Sequence, residues 1–128
     1  MKKKFLIVIA DYYKDISKGL LNSSKEILPK SSLIKVINVP GVFEIPVTIS
    51  KNIKKYDAFL ALGCVIKGQT PHFDFISHAS TVGIMRLSIE NKKPIGNGII
   101  TCLNMRQAIA RKTKGREAAK AVISVLLQ

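Results

Sequence analysis

Apolar and polar positions come in blocks along this chain. Phe5–Ala10 is a continuous apolar run ending at Asp11, the pattern of a strand buried on both faces of a parallel sheet. From Ile16 to Leu28, the apolar residues Ile16, Leu20, Leu21, Ile27 and Leu28 recur at helical spacing, and Pro29 stops the helix. Leu33–Val39 is rich in β-branched residues and ends at Pro40-Gly41, a turn signal. Pro46 fits the first turn of a helix running to about Lys55, with Val47, Ile49 and Ile53 as its apolar positions. Ala58–Ile66 is a further buried-strand run. A polar loop leads to a helix from about Asp74 to Asn91, and Pro94-Ile95 opens a strand through Thr101. Asn104–Gln128 reads as helical, with a break at Lys114-Gly115. Its candidate core residues are Ala108, Ile109, Ala118, Ala119, Val122, Ile123, Val125 and Leu126.

Strands alternating with helices of this length make βαβ units with right-handed crossovers. Four strands with helices on both faces predict a three-layer α/β/α sandwich around a four-stranded parallel sheet, flavodoxin-like. There is no repeat, linker or low-complexity tract, and 128 residues fit a single domain over 1–128. In such sheets ligands sit beyond the carboxyl ends of the strands. That rule singles out Asp11-Tyr12-Tyr13, Pro40–Glu44, Lys67–Asp74 and the residues after Thr101.

Composition changes this picture little. At 47% apolar, with eight Gly and five Pro, the chain is globular. Its longest apolar runs are too short to span a bilayer. The start, Met1-Lys2-Lys3-Lys4 before an apolar stretch, superficially resembles a signal peptide. Asp11 interrupts it and no small-residue cleavage site comes after it, so a mature cytoplasmic start is expected. Cys64 and Cys102 match no metal or disulfide framework and are expected buried and reduced. Charge is the anomaly: 21 Lys+Arg against eight Asp+Glu, net +13. Nucleic-acid binding is one reading of that charge. Against it, 17 of the 21 are Lys spread over the whole chain, and the aromatic residues lie in apolar segments rather than among the basic ones.

The strand-end segments carry the candidate chemistry. Lys67-Gly68-Gln69-Thr70-Pro71-His72-Phe73-Asp74 lies between a buried strand and a helix. Gly68 permits close backbone approach or a positive φ. The helix N-terminus offers free N–H groups and a positive dipole, which together form an anion cradle. Thr70 supplies a hydroxyl donor. His72, expected in the loop, is a candidate for proton transfer, since an imidazole titrates close to neutral pH. His78, inside the following helix, reads as structural. Glu44, in Pro40–Pro46, is either a helix N-terminal carboxylate or an acceptor for ligand hydroxyl and N–H groups. Tyr12 and Tyr13 either stack on a flat ligand ring or cover the end of the sheet. Between Arg106 and Gln128 there are six Lys/Arg and one Glu, mostly a solvated face. Among them Arg111 is the type of residue suited to bidentate phosphate binding.

These residues resemble the lumazine synthase family. Val39-Pro40-Gly41-Val42-Phe43-Glu44-Ile45-Pro46 is close to its V-P-G-x-F-E-x-P motif. The run from Ala61 through Lys67-Gly68-Gln69-Thr70-Pro71-His72-Phe73-Asp74-Phe75 is close to its L-G-x-V-I-x-G-x-T-x-H motif and the aromatic-acidic-aromatic triplet after it. Gly98–Thr101, Gln107–Arg111 and Lys114–Ala119 resemble later, weaker motifs in the same order.

The resemblance implies an enzyme condensing 5-amino-6-(D-ribitylamino)uracil with 3,4-dihydroxy-2-butanone 4-phosphate. The products are 6,7-dimethyl-8-ribityllumazine, phosphate and water, in the penultimate step of riboflavin biosynthesis. It implies no metal or organic cofactor. It implies a homo-oligomer, a pentamer or a multiple of pentamers, with sites between subunits and neither nucleic acid nor membrane as partner. Tyr12 corresponds to an aromatic residue that stacks on the pyrimidine. Val42, Phe43 and Glu44 correspond to the ribityl pocket, and Cys64, Val65 and Ile66 to the pocket wall. Gln69 and Thr70 match the phosphate cradle, His72 the proton shuttle, and Arg111, with Lys114 assisting, the phosphate ligand from a neighbouring subunit. Three departures stand out. Asn97 replaces the aromatic residue that a neighbour contributes to sandwich the ring. The Arg111–Lys114 stretch is shorter than usual. The chain starts later than usual members, whose leading segment adds a strand to a neighbour's sheet, so that strand is expected to be missing. The alternative is a lumazine- or flavin-binding protein that kept the pocket without turnover.

Overall fold

A computed structural model describes residues 2–128; Met1, the first residue of the basic start, lies outside the described residues. Four strands form one all-parallel sheet: β1 (Lys4–Ala10), β2 (Leu33–Val39), β3 (Ala58–Ile66) and β4 (Ile95–Cys102), in the order β2-β1-β3-β4. The register runs Lys4↔Leu33 to Ala10↔Val39, Phe5↔Ala58 to Ile9↔Leu62, and Phe59↔Ile95 to Ile66↔Cys102. Five helices connect and cover it: α1 (Lys14–Ile27), α2 (Ile45–Asn52), α3 (His72–Asn91), α4 (Met105–Ala110) and α5 (Gly115–Leu126). This is the flavodoxin-like three-layer sandwich that the alternating pattern predicts.

The central strands β1 and β3 are buried on both faces because each face feeds a separate core. Phe5, Ile7, Ile9, Leu60 and Leu62 pack with Ile16 and Leu20 of α1 and Ala118, Ala119 and Val122 of α5. Leu6, Val8, Phe59 and Ala61 pack on the other side with Ile45 and Ile49 of α2 and Ile84 of α3. Each fully buried Leu, Ile or Phe among these contributes about 1.5–3 kcal/mol from removal of apolar surface from water. Glycine lets α5 settle onto the sheet: a Cβ at Gly96 would stand 2.5 Å from the Ala118 carbonyl oxygen.

Several expectations are corrected. The first turn of α2 includes Ile45 and buries it, while Val47 is exposed, because the preceding segment coils into a 3₁₀ turn (Val42–Glu44) that rotates the helix entry. The helix ends at Asn52, short of Lys55. In the C-terminal segment Ile109 and Val125 are exposed. The segment is two helices, as the Lys114-Gly115 step predicts: the chain breaks over residues 111–114 and Gly115 opens α5. Cys64 and Cys102 are free and buried, as expected. Among the described residues no helix is long and apolar enough to cross a membrane.

Candidate active site

All four strands point their carboxyl ends the same way, and the segments leaving β1, β2 and β3 converge on a cleft of about 670 Å³. It is lined by Tyr12 and Tyr13 after β1, by Gly41–Glu44 after β2, by Cys64, Val65 and Ile66 at the end of β3, and by His72 and Ile76 of α3. Nine residues singled out in the sequence meet here: Tyr12, Tyr13, Val42, Phe43, Glu44, Cys64, Val65, Ile66 and His72. Gly41 and Ile76 complete the lining. Ile76 lies four residues after His72 on one helix, so the two share a face; that spacing is the signal that finds it.

Each wall has a local cause. The Ser17 hydroxyl lies 2.8 Å from the Ala10 carbonyl oxygen and 3.0 Å from that of Tyr13, and the Ser17 N–H donates to Tyr13 at 2.9 Å, which ties the β1–α1 corner down. Tyr12 is 74% exposed, and its ring meets the Tyr13 ring edge-on, with centroids 4.9 Å apart at 83°. On the opposite wall, the 3₁₀ turn lies directly on β3. A Cβ at Gly63 would be 2.8 Å from Val42 Cγ2, so only glycine allows that approach. Val42 is buried by it, while Phe43 stays exposed at the rim. Glu44 is the residue before α2, yet its side chain does not cap that helix. Its carboxylate instead folds over Gly41, where a Cβ would lie 3.1 Å from Oε1. Of the two readings left open for Glu44, this placement leaves the carboxylate free on the cleft wall.

His72 is the first residue of α3, not a loop residue. Its N–H donates to the Thr70 hydroxyl at 3.4 Å, so Thr70 caps the helix entry and keeps its own O–H free to donate. Gly68 has no positive φ, and a Cβ there would meet nothing within 4 Å, so no contact within the chain calls for glycine. Burial pushes the Cys64 thiol up to about 12, helped by neighbouring Cys102, so this wall is a neutral thiol and no nucleophile. Burial likewise raises the Tyr13 phenol, with Cys64 and Tyr12 beside it, and keeps it an O–H donor.

The remaining candidates are not brought into this cleft. Gln69 and Thr70 lie exposed between β3 and α3. Asn97 lies in mid-β4 opposite Ala61, exposed, with Oδ1 accepting the Ile99 N–H at 3.1 Å. Arg111 caps the C-terminus of α4 and sets Nη1 4.0 Å from Cys102 Sγ. Asn104 holds that helix in place by accepting the Gln107 N–H at 2.9 Å, while Gln107 Oε1 accepts from Leu103 at 2.8 Å. Lys114 pairs with Glu117 at 3.5 Å in solvent. Among the described residues no group of three or more His, Cys, Asp or Glu comes together as a metal site.

Residues 2–128 match the family model described as 6,7-dimethyl-8-ribityllumazine synthase. Similar proteins carrying that name include one from Corynebacterium kroppenstedtii, 38% identical over 91% of this chain and 79% of the relative. One from Zymomonas mobilis is 41% identical, covering 95% and 93% respectively. One from Agrobacterium fabrum is 40% identical, covering 98% and 93%.

Proposed function

The chain belongs to the 6,7-dimethyl-8-ribityllumazine synthase family, and from that membership we infer that its strand-end cleft is the seat of the family's condensation. The enzyme joins 5-amino-6-(D-ribitylamino)uracil to 3,4-dihydroxy-2-butanone 4-phosphate and releases 6,7-dimethyl-8-ribityllumazine, phosphate and water. The observation that carries the site assignment is the convergence of Tyr12, Val42–Glu44, Cys64–Ile66 and His72, from three strand ends, on one cleft.

Chemistry assigns the roles. The uracil's primary amine attacks the ketone and one water leaves as the imine forms. Loss of a proton from carbon then expels phosphate. The enol left behind ketonises to a new carbonyl beside a methyl group, the ribityl-bearing nitrogen closes the ring on that carbonyl, and a second water departs. Each stage moves protons between nitrogen, carbon and oxygen, which is the work of one imidazole on the cleft wall, His72. Tyr12 is the shelf for the flat pyrimidine, and Glu44 accepts from ribityl hydroxyls. The apolar wall of Cys64, Val65 and Ile66 presents backbone groups to the ring. The Thr70 hydroxyl, Gln69 and the first N–H groups of α3 receive the phosphate.

Asn97, Arg111 and Lys114 do not line the cleft of their own chain. A homo-oligomer built from pentamers, with sites between subunits, is the arrangement that unites them. Its support is α3: Phe75, Val82, Met85 and Ile89, with His78 between them, are exposed and recur at intervals of three and four, a mainly apolar seam that none of the described residues covers. The chain acts as one domain over 1–128, and two free buried thiols suit the reducing cytoplasm. Incubating the purified protein with both substrates while following lumazine absorbance tests the reading. Turnover is expected, and binding of the product without turnover would overturn it.

A further inference from the structure

We propose that Tyr13 is a positioning residue for the ring-binding shelf: it holds the Tyr12 ring over the cleft and so sets how tightly the uracil substrate is bound. The inference rests on the reading of the cleft as the condensation site, and it concerns a residue that the family motifs leave unassigned.

Tyr12 stands almost wholly in solvent, on the short corner between β1 and α1, and no side-chain hydrogen bond to it is found among the described residues. Its ring contact is with the edge-on ring of Tyr13. Tyr13 is the anchored member of the pair. It is half-buried and packs on the core beneath α1. Its carbonyl accepts from both the Ser17 N–H and the Ser17 hydroxyl. An exposed ring is thus braced against an anchored one.

The brace matters because Tyr12 is so exposed. Any rotamer freedom it has in the free protein is lost each time substrate binds, and that loss subtracts from affinity. A ring held beforehand by an edge-to-face contact avoids the loss. The Tyr13 hydroxyl makes no hydrogen bond among the described residues, so the brace resides in the ring.

The test is a double-mutant cycle on the purified enzyme with both substrates. Tyr13→Ala should raise the KM for the uracil substrate about two- to tenfold, the range of one aromatic contact. kcat and the KM for the butanone phosphate should stay near wild type. Tyr13→Phe, which keeps the ring, should restore wild-type values. In a Tyr12→Ala background, Tyr13→Ala should add nothing further. Tyr13→Leu preserves core volume, and its melting curve guards against a folding defect in the alanine variant; it should show the same KM shift. A Tyr13 effect that persists without Tyr12, a Tyr13→Phe as impaired as Tyr13→Ala, or an unchanged KM in Tyr13→Leu would each overturn the proposal. Quenching of riboflavin fluorescence, read over the same cycle, needs no turnover. A wild type that fails to turn over therefore defeats the functional reading and leaves the brace decided by the titration.

Discussion

On one face of the sheet, α1 and α5 turn Ile16, Leu20, Ala118, Ala119 and Val122 inward and leave mainly charged residues outside. On the other, α3 is the longest helix yet buries only Ser80 and Ile84, while Phe75, Val82, Met85 and Ile89 stand in solvent. An amphipathic helix with one apolar stripe is finished by packing on its own sheet. α3 has two stripes. Ile76, Ile84 and Leu87 serve this chain's core, and the outward stripe is left for another surface. The difference shows where the molecule is complete and where it is half of something. The cleft lies at the boundary: its floor belongs to the closed part, and His72 opens the helix with the uncovered stripe.

The sharpest way to probe that boundary is His72→Gln. Steady-state turnover should fall about 10²–10⁴-fold with the melting curve unchanged, since the side chain is exposed and only the proton path is removed. Unaltered turnover would take His72 out of the mechanism. A matched pair of truncations separates the two layers directly. Leu20→Ala in the closed layer should cost about 2–5 kcal/mol in denaturant unfolding through loss of buried surface and the cavity left behind. Met85→Ala should leave subunit stability nearly intact and shift the sedimenting species towards lower mass. Equal effects on unfolding, with no change in mass, would mean that the α3 stripe is merely exposed.

Arg111→Ala addresses the part of the site supplied from outside the cleft. Loss of a charge-assisted hydrogen bond worth about 1.5–3 kcal/mol predicts a roughly ten- to hundredfold rise in the KM for the butanone phosphate, with the neutral uracil little affected. An equal rise for both substrates would place Arg111 on a diffuse basic surface. Asn97→Phe should act in the opposite direction. Restoring a ring should tighten a lumazine ligand about two- to tenfold, from an aromatic contact of about 0.5–1.5 kcal/mol, read by fluorescence titration. Weaker binding would show that the position faces away from the ring.

The smallest effect is expected at Cys64, within the closed layer. Its folded pKa, pushed up to about 12, lies above the ordinary thiol value, so the neutral thiol dominates at all lower pH. Alkylation by iodoacetamide at pH 8 should be slow, accelerating only as pH rises towards that value or on unfolding. Rapid labelling of the native protein would show the closed layer to be open at that point.

What the sequence determined by itself is the order of elements and much of the cleft. Strands buried on both faces must be continuous apolar runs, so Ala58–Ile66 could be read to the residue; Leu33–Val39, a largely exposed edge strand, was legible instead from its β-branched residues and the Pro40-Gly41 turn after it. Residues just after them, such as Glu44 and His72, had to fall at the ligand-binding end of a parallel sheet. Tertiary structure decided what local pattern does not encode. The 3₁₀ turn on Gly63 exchanged Val47 for Ile45 as the buried position, because the entry angle of α2 depends on contact with a strand distant in sequence. Whether an apolar residue such as Ile109 or Val125 is core or surface likewise depends on how its helix rolls against its neighbours. The same holds for α3: periodicity shows that its residues are apolar, but only the packed sheet shows which stripe this chain uses and which it leaves uncovered.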